Sequence, residues 1–227
     1  MIEIIPLRGI PEVTPGADLA ELLAEGAGSA GAFRESDVVV VTQKVVSKAE
    51  GRLVPTTEKR AAIEAESARV LRRQGEMLIS ETRHGFVCAN AGVDESNVPD
   101  GGVALLPIDS DASARRLRSR LQHLTGVDVA VIISDTFGRA WRLGQTDVAI
   151  GVAGIEPFND YVGTPDTQGR IMTATRICVA DEIAGAAELV MGKTDGICAA
   201  IVRGAPVTQG RAAATEIVRP PDQDLFR

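Results

Sequence analysis

Histidine and cysteine are scarce in this sequence. His84 and His123 are the only two histidines among 227 residues and lie far apart, so a zinc hydrolase centre has little support. The three cysteines, Cys88, Cys178 and Cys198, are widely separated and have apolar neighbours, with no CxxC pair. We therefore expect buried, reduced thiols rather than a disulfide framework.

The sequence also lacks an excess of positive charge and any long apolar run. Its 24 basic and 31 acidic residues give a net charge of -7, which opposes non-specific attraction to nucleic acid or anionic membranes. An anionic ligand must therefore be bound by local groups. No run approaches the roughly 20 apolar residues of a membrane span, and the first residues do not resemble a signal peptide. We expect a cytoplasmic protein that binds neither nucleic acid nor membranes.

Two glycine motifs fail as nucleotide-binding signatures. Residues 26–31 match GxGxxG, but we expect them to follow a helix and precede a strand, the reverse of the order in a Rossmann fold. Residues 192–194, Gly-Lys-Thr, resemble the end of a P-loop, but Ala187 replaces its first glycine and the preceding segment is helical in pattern. No serine lies in a G-x-S-x-G elbow, and no cysteine has an activating neighbour.

The length and the 44% hydrophobic content allow a substantial core, in one large domain or two small lobes. The apolar patterns predict helices at residues 18–24, 57–73, 113–125 and 181–191. They predict strands at residues 2–5, 37–42, 77–80, 85–88, 129–133 and 199–203, with a β-rich second half. The polar tail from Pro220 is expected to be at best partly ordered.

The most informative segment is residues 132–147. A buried-type strand stops there at Asp135 and Thr136, which offer oxygen ligands, and is followed by the fixed positive charges of Arg139 and Arg142. This combination indicates a metal ion and a polyanion. The alternative is a simple turn in which Asp135 caps the next segment and the arginines are solvated.

A second polar loop carries the same kind of ligand. Asp94 and Asn97 follow an apolar segment, and such hard oxygen ligands suit Mg²⁺ or Mn²⁺ rather than zinc. Lys48, placed in a loop after a strand, could supply a point charge for phosphate oxygens, or it could be an ordinary solvated lysine. The residues alone thus indicate an enzyme that uses a metal ion and a nucleotide.

At these residues the chain closely resembles the coenzyme F420-0:L-glutamate ligases, which add glutamate to a deazaflavin cofactor. The resemblance covers nearly all 227 residues. It rests on residues 6–11, 37–42, 44–51, 91–94, 96–98, 134–136, 138–139 and 180–184. It implies an α+β, β-rich fold peculiar to the family, neither Rossmann nor P-loop, with residues 1–227 as one ligase unit, which could comprise two intertwined lobes.

The resemblance also implies a reaction and its ligands. A GTP-dependent ligase would join L-glutamate to F420-0 through an acyl phosphate, as a homodimer, and the addition of further γ-linked glutamates is left open. Mg²⁺ or Mn²⁺, expected as two divalent ions, would assist, and K⁺ is a further candidate ion. A metal-dependent nucleotide hydrolase and a non-catalytic nucleotide-binding module are the alternatives.

Family positions map onto particular residues. Asp94, Asp135 and Thr136 fall on divalent-metal positions, and Asp94, Asp135 and Arg139 are the expected catalytic residues. Arg139 and Arg142 could hold an anionic substrate, whereas Trp141 is expected in the core rather than stacked on a ring. The nucleotide positions are Ile10, Pro11, Glu12, Val13, Gln43, Lys44, Lys48, Asn97, Met191, Gly192, Lys193, Thr194, Asp195, Gly196 and Ile197.

Two departures from the family stand out. Some archaeal members carry an acidic metal ligand where this chain has Lys193, so either one metal is held more weakly or Lys193 itself neutralises phosphate charge. Some bacterial relatives continue into a flavin-binding domain, whereas this sequence stops just after Phe226. We therefore expect a stand-alone ligase or a ligase domain cut from a longer protein.

Overall fold

The computed structural model describes residues 1–98 and 101–225. Its five helices are α1 (Leu19–Ser29), α2 (Gln43–Ala49), α3 (Lys59–Glu66), α4 (Ser110–Thr125) and α5 (Val179–Met191). The first six strands are β1 (Glu3–Pro6), β2 (Val38–Thr42), β3 (Leu53–Pro55), β4 (Ser67–Gln74), β5 (Met77–Thr82) and β6 (Val87–Ala89). The other six are β7 (Gly102–Ala104), β8 (Ala130–Arg139), β9 (Arg142–Ala153), β10 (Asn159–Asp160), β11 (Arg176–Ile177) and β12 (Ala199–Arg203).

A mixed five-stranded sheet forms the centre of the molecule, in the order β1-β12-β2-β8-β9. The central pair, β2 and β8, is parallel, and the other pairs are antiparallel. The four valines of β2 are fully buried. Their β-branched side chains suit a strand that is covered on both faces.

Helices cover both faces of this sheet. Val39 and Val41 point to one face, where α1 and α4 pack, whereas Val38 and Val40 point to the other face, against α5. This division follows from the two-residue side-chain period of a strand. The prediction of an α+β fold is confirmed.

A smaller unit lies beside the central sheet. It comprises the sheets β4-β5-β6 and β3-β7 and has its own apolar cluster, which includes Ile63, Leu78 and Val103. Asp94 is joined to this unit because its backbone exchanges two hydrogen bonds with that of Ala104, with N···O distances of 3.0 and 2.8 Å. The unit therefore fixes the loop that carries Asp94.

The helix α4 shows how local sequence sets an element's ends. The Asp109 side chain accepts a hydrogen bond from the backbone N–H of Ala112 at 2.8 Å, and Gly126 ends the helix in a left-handed conformation with φ 72°.

Within residues 1–98 and 101–225, no helix combines the length and apolar character that crossing a membrane requires.

Most predicted elements are confirmed, but the helix predicted at residues 57–73 is wrong in its second half. The helix α3 ends at Glu66, and residues 67–74 form β4, which pairs with β5. The charged and small residues of this segment fit a helical period, but backbone pairing with β5 decides its structure. The predicted pairing of residues 77–80 with 85–88 is confirmed in β5 and β6.

Two loop predictions are also corrected. Asp135 and Thr136 do not lie in a loop after the strand but within β8, which continues into a hairpin with β9. The glycine motif at residues 26–31 does not follow α1, because its first four residues form the end of that helix. That placement agrees with the rejection of a Rossmann site. Of the polar tail, residues 221–223 form a 3-10 turn, and Phe226 lies outside the described residues.

Gly151 in β9 tests how tightly the sheet packs against α4. A Cβ atom at this position would lie 2.7 Å from the carbonyl carbon of Ser110, which is too close for a real contact. We expect Gly151→Ala to lower the free energy of unfolding by about 1–3 kcal/mol, as overpacking does. Chemical denaturation would measure this loss.

Gly28 is the matched control. It lies on the exposed side of α1, and a Cβ atom there would meet nothing within 4 Å. Gly28→Ala should therefore raise the free energy of unfolding by about 0.5–1 kcal/mol. Equal effects of the two substitutions would contradict the close approach of β9 to α4.

Candidate active site

A large cavity opens where the parallel pairing of β2 with β8 ends. In the register of β2 and β8, Thr42 lies opposite Ser134. The chain turns into α2 after Thr42, and it continues into the hairpin after Ser134. A cavity of about 930 Å³ lies at this edge of the sheet, which is where ligands bind in open α/β sheets.

The cavity brings together most of the residues that the sequence predicts for the site. Asp94, Asp135 and Thr136 all line it. Of the predicted nucleotide residues, those that line it are Ile10, Pro11, Glu12, Val13, Gln43, Lys44, Lys48, Asn97, Gly192, Lys193, Gly196 and Ile197. The five segments that carry these residues are far apart in the sequence and meet only through the fold.

Other predicted residues lie elsewhere. Met191 is 1% exposed and packs in the apolar cluster beneath α5. Thr194 and Asp195 belong to the loop after α5 but are not among the residues that line the cavity. Arg139 lies near the tip of the β8–β9 hairpin, and its guanidinium donates to the carbonyl oxygen of Leu143 at 2.6 Å. Its role in catalysis stays a prediction.

The hairpin tip also corrects the interpretation of Trp141. This side chain is 84% exposed, and its backbone has φ 67° in the tight turn between β8 and β9. The prediction that Trp141 belongs to the core is wrong, because the turn directs the residue away from the sheet. Arg142 is exposed beside it.

Asp147 is the most important residue that sequence reasoning missed. It lies opposite Thr136 in the hairpin, lines the cavity and is 2% exposed. Thr136 Oγ1 donates to Asp147 Oδ1 at 2.6 Å, and Ser134 Oγ donates to Asp147 Oδ2 at 3.0 Å. Prediction of the hairpin from residues 138–144 would have indicated this pairing. The other lining residues that were missed are Thr42, Val45, Ser96, Val98, Ser134, Gln145 and Cys198.

Lys44 neutralises Asp94. Its Nζ lies 2.6 Å from Asp94 Oδ2 and 2.6 Å from Ser96 Oγ. Burial alone would raise the pKa of Asp94, but hydrogen bonds from Lys44 and Ser96 outweigh it and hold that pKa below its ordinary value. Asp94 is therefore an ionised carboxylate with a cation already beside it.

Asp135 is in the opposite situation. Burial of its carboxyl group raises its pKa from the ordinary value of 3.8 to about 7, and the charges of Asp147 and Asp94 add to this effect. The backbone N–H of Thr136 and the charge of Lys44 lower the pKa only in part. The ionised form of Asp135 is thus poorly compensated, and a further cation near it would be stabilised.

Lys48 is neither in a loop nor solvated. It lies in α2, is 4% exposed as a residue, and its Nζ forms an ion pair with Glu12 at the cavity wall. Lys48 faces the cavity from a helix that begins directly after β2. The structure therefore contradicts the alternative of a solvated surface lysine.

The loop after α5 closes one side of the cavity. Gly192 ends α5 with φ 57° and ψ -161°, a backbone conformation found almost only in glycine. This turn directs Lys193 back across the cavity, where its Nζ lies 2.8 Å from Thr136 Oγ1 and 3.0 Å from Asp147 Oδ1. Asn97 Nδ2 donates to the backbone oxygen of Lys193 at 3.4 Å and so links this loop to the Asp94 loop.

The cavity offers a partial set of ligands for a divalent ion. Asp94 and Asp135 supply hard oxygen donors that suit Mg²⁺ or Mn²⁺, which commonly complete their coordination with water and phosphate oxygens. Within the described residues, no group of three or more His, Cys, Asp or Glu side chains is arranged to hold a metal by itself. One ion on Asp94 and Asp135 fits these residues, whereas Thr136 is already in contact with the ammonium group of Lys193.

Comparison with known proteins places the chain in a family. The family model for F420-0:gamma-glutamyl ligase matches residues 9–69 and 57–204. The chain belongs to the F420-0:gamma-glutamyl ligase family. A protein from Methanothermobacter thermautotrophicus named coenzyme F420:L-glutamate ligase is 41% identical, with 100% of this chain and 99% of that protein aligned.

Two further relatives in this F420-0:gamma-glutamyl ligase family carry the same name. The protein from Methanopyrus kandleri is 43% identical, covering 100% of this chain and 97% of its own length. The protein from Archaeoglobus fulgidus is 40% identical, covering 100% of this chain and 96% of its own length. The family resemblance seen in the sequence motifs is thus confirmed.

Residues 180–184 are one of the motifs that carry the family resemblance, but they do not line the cavity. Residues 180–184 begin α5, and the Asp181 side chain accepts a hydrogen bond from the backbone N–H of Ala149 at 2.9 Å. This bond ties the start of α5 to β9. Asp181 therefore helps to position the helix whose other end presents the Lys193 loop.

The raised pKa of Asp135 predicts an unusual dependence of stability on pH. Between about pH 4 and pH 7 the folded protein holds a proton on Asp135 that the unfolded chain releases, so the contribution of this group falls as pH rises. In metal-free buffer, Asp135→Asn should therefore gain in melting temperature over the unsubstituted protein as pH rises to 7. Each kcal/mol would correspond to about 2–4 °C.

Asp94→Asn provides a control of opposite sign. Because the pKa of Asp94 is held below its ordinary value, this carboxylate stabilises the fold at neutral pH and loses that contribution on acidification. The variant should be less stable than the unsubstituted protein at pH 7, by a margin that narrows towards pH 3. Parallel pH profiles for the two variants would contradict the assignment of the two charge states.

Proposed function

We propose that this protein is a ligase that joins L-glutamate to the deazaflavin cofactor precursor F420-0 at the expense of GTP. The observation that carries the proposal is the single cavity in which Lys44, Lys48 and Lys193 face Asp94, Asp135 and Asp147. Lysines suit phosphate oxygens, and carboxylates suit the metal ion that accompanies a nucleotide. Similarity to named ligases along the whole chain supports the same reaction.

The chemistry requires activation because an amide does not form spontaneously from a carboxylate and an amine in water. A carboxylate oxygen of F420-0 would attack the γ-phosphorus of GTP, and the bond to GDP would break, giving an acyl phosphate. The amine nitrogen of glutamate would then attack the acyl carbon and release inorganic phosphate, and the amine would lose its proton. One amide, one GDP and one phosphate result for each glutamate added.

The residues of the cavity would act mainly by position and charge. Lys48 is buried in α2, where water screens its charge little, and its partner Glu12 is exposed, so its ammonium group would contact a phosphate oxygen once the ligand binds. Lys44 can exchange its contact with Asp94 for a phosphate oxygen when an ion takes its place. Asp94 and Asp135 would hold Mg²⁺ or Mn²⁺, and the bound ion would reduce the repulsion between the nucleotide and the carboxylate substrate.

Residues outside the cavity are candidates for the other substrates. Arg139 and Arg142 lie on the same hairpin that carries Asp135 and Asp147, beyond the cavity wall. Their guanidinium groups could bind the anionic deazaflavin or glutamate as the substrate approaches. Arg139→Lys tests this role, since unchanged Michaelis constants for all three substrates and an unchanged turnover number would exclude it.

The direct test is mass spectrometry of F420-0 incubated with the protein, GTP, L-glutamate and Mn²⁺. We expect mass steps of one glutamate residue with stoichiometric GDP. Asp135→Ala should lower the rate by at least about 100-fold, the upper range for weakening a metal site through its supporting residues. Asp222→Ala, on an exposed residue outside the cavity, is the matched control and should retain the rate.

The same assay separates the other functions. Release of GDP without a gain in mass of the deazaflavin would favour a nucleotide hydrolase. Binding of GDP with no turnover under any condition would favour a non-catalytic nucleotide-binding module. Replacing GTP with ATP tests the nucleotide preference, and omission of Mn²⁺ or Mg²⁺, or of K⁺, tests the ion requirement.

We also infer a homodimer. Leu143 is 98% exposed at the hairpin tip beside Trp141, and exposed apolar groups of this kind are typical of association surfaces. Light scattering after size exclusion should show two chains per particle, and Leu143→Asp should increase the dissociation constant about tenfold or more. Leu225→Asp, at another exposed leucine, is the control and should leave the dimer intact. A monomer before substitution would overturn this inference.

A further inference from the structure

The ammonium group of Lys193 occupies a site that three oxygen atoms define. Its Nζ lies 2.8 Å from Thr136 Oγ1, 3.0 Å from Asp147 Oδ1 and 3.5 Å from Glu188 Oε1. Thr136 is one of the three residues that the sequence predicts as ligands of divalent ions. A protein cation therefore already occupies the part of the cavity where one of two predicted ions would bind.

Burial of Asp147 holds Lys193 in place. The Asp147 side chain is 1% exposed, and its other contacts come from the neutral hydroxyl groups of Ser134 and Thr136. In the described part of the chain, Lys193 provides the one ion pair to Asp147. If Lys193 moved away, a buried carboxylate would remain without a counter-charge next to Asp135, which is strongly unfavourable.

Lys44 differs from Lys193 because its carboxylate partner is not buried. Its partner Asp94 has a side chain that is 46% exposed and also accepts from the backbone N–H of Ser96 at 2.8 Å. Asp94 can therefore remain solvated and hydrogen-bonded when Lys44 turns towards a phosphate, and a metal ion can replace the lysine. The partners thus differ: Asp94 is half-exposed beside a mostly buried Lys44, whereas Asp147 is buried beside a half-exposed Lys193 and depends on that lysine for its counter-charge.

We propose that the Lys193 ammonium group, fixed by Asp147, takes the place of one divalent ion, so that the loaded site holds a single divalent ion on Asp94 and Asp135. This inference rests on the proposed function, because it assumes a metal-assisted nucleotide site. It assigns to Asp147 the role of a positioning residue for Lys193. The positive charge at Thr136 is then built into the chain and does not depend on the metal concentration.

The test counts Mn²⁺ ions bound per chain in the presence of saturating GDP, by titration calorimetry and by electron paramagnetic resonance. The unsubstituted protein and Lys193→Arg should each bind one ion. Lys193→Met should bind a second ion, because Asp147, Thr136 and Glu188 then offer three oxygen donors without a cation. The double variant Lys193→Met with Asp147→Asn should return to one ion, and it also controls for folding because no buried charge is left unpaired.

The outcomes are distinct from those of the ligase assay. Two ions bound by the unsubstituted protein would overturn this inference and leave the ligase proposal intact. One ion bound by both the unsubstituted protein and Lys193→Met would also overturn it, since the lysine would then not exclude a second ion. If the unsubstituted protein bound no ion, this inference and the metal dependence of the proposed reaction would both be wrong.

Discussion

The parallel pairing of β2 with β8 is the contact on which the rest of the site depends. It places Thr42 beside Ser134 at the end of the parallel pairing, so that α2 and the outer part of the β8–β9 hairpin both begin at this edge and line one cavity. Both strands lie between other strands and are covered by helices on both faces. A shift of one residue in this pairing would turn apolar side chains of one strand to the opposite face. The burial that stabilises the sheet therefore also fixes the geometry of the site.

Charge compensation is the second constraint on this cavity. Asp94, Asp135 and Asp147 come from different strands and loops and line one cavity, and the charge of Asp147 raises the pKa of Asp135. Lys44 in α2 pairs with Asp94 and Lys193 in the loop after α5 pairs with Asp147, whereas Lys48, also in α2, pairs with Glu12. The two ion pairs differ in burial, because Lys44 pairs with the half-exposed Asp94 and Lys193 pairs with the buried Asp147. This difference in burial separates a cation that a ligand can displace from one that it cannot.

The errors of sequence reasoning share a physical origin. Residues 67–74 have few buried side chains, so their periodicity carries little information, and pairing with β5 determines their structure. Trp141 has an apolar side chain that composition places in a core, but the two-residue turn at the hairpin tip leaves it exposed. Asp147 lies in the segment that the sequence indicated most strongly, yet its importance follows from the strand opposite it. Two of these errors concern a cross-strand partner and one concerns a hairpin turn, neither of which a single segment reveals.

The sequence by itself determined the buried central strands, the absence of P-loop and Rossmann motifs, and the set of oxygen and lysine side chains that indicate a metal and a nucleotide. These features are local, since they depend on side-chain period, glycine spacing and the chemistry of single residues. The tertiary structure alone decided that Lys48 is buried in a helix, that Arg139 lies outside the cavity, and that Lys193 contacts Asp147. Such contacts join residues tens of positions apart, and they form only when sheet register and helix packing bring those residues within hydrogen-bond distance.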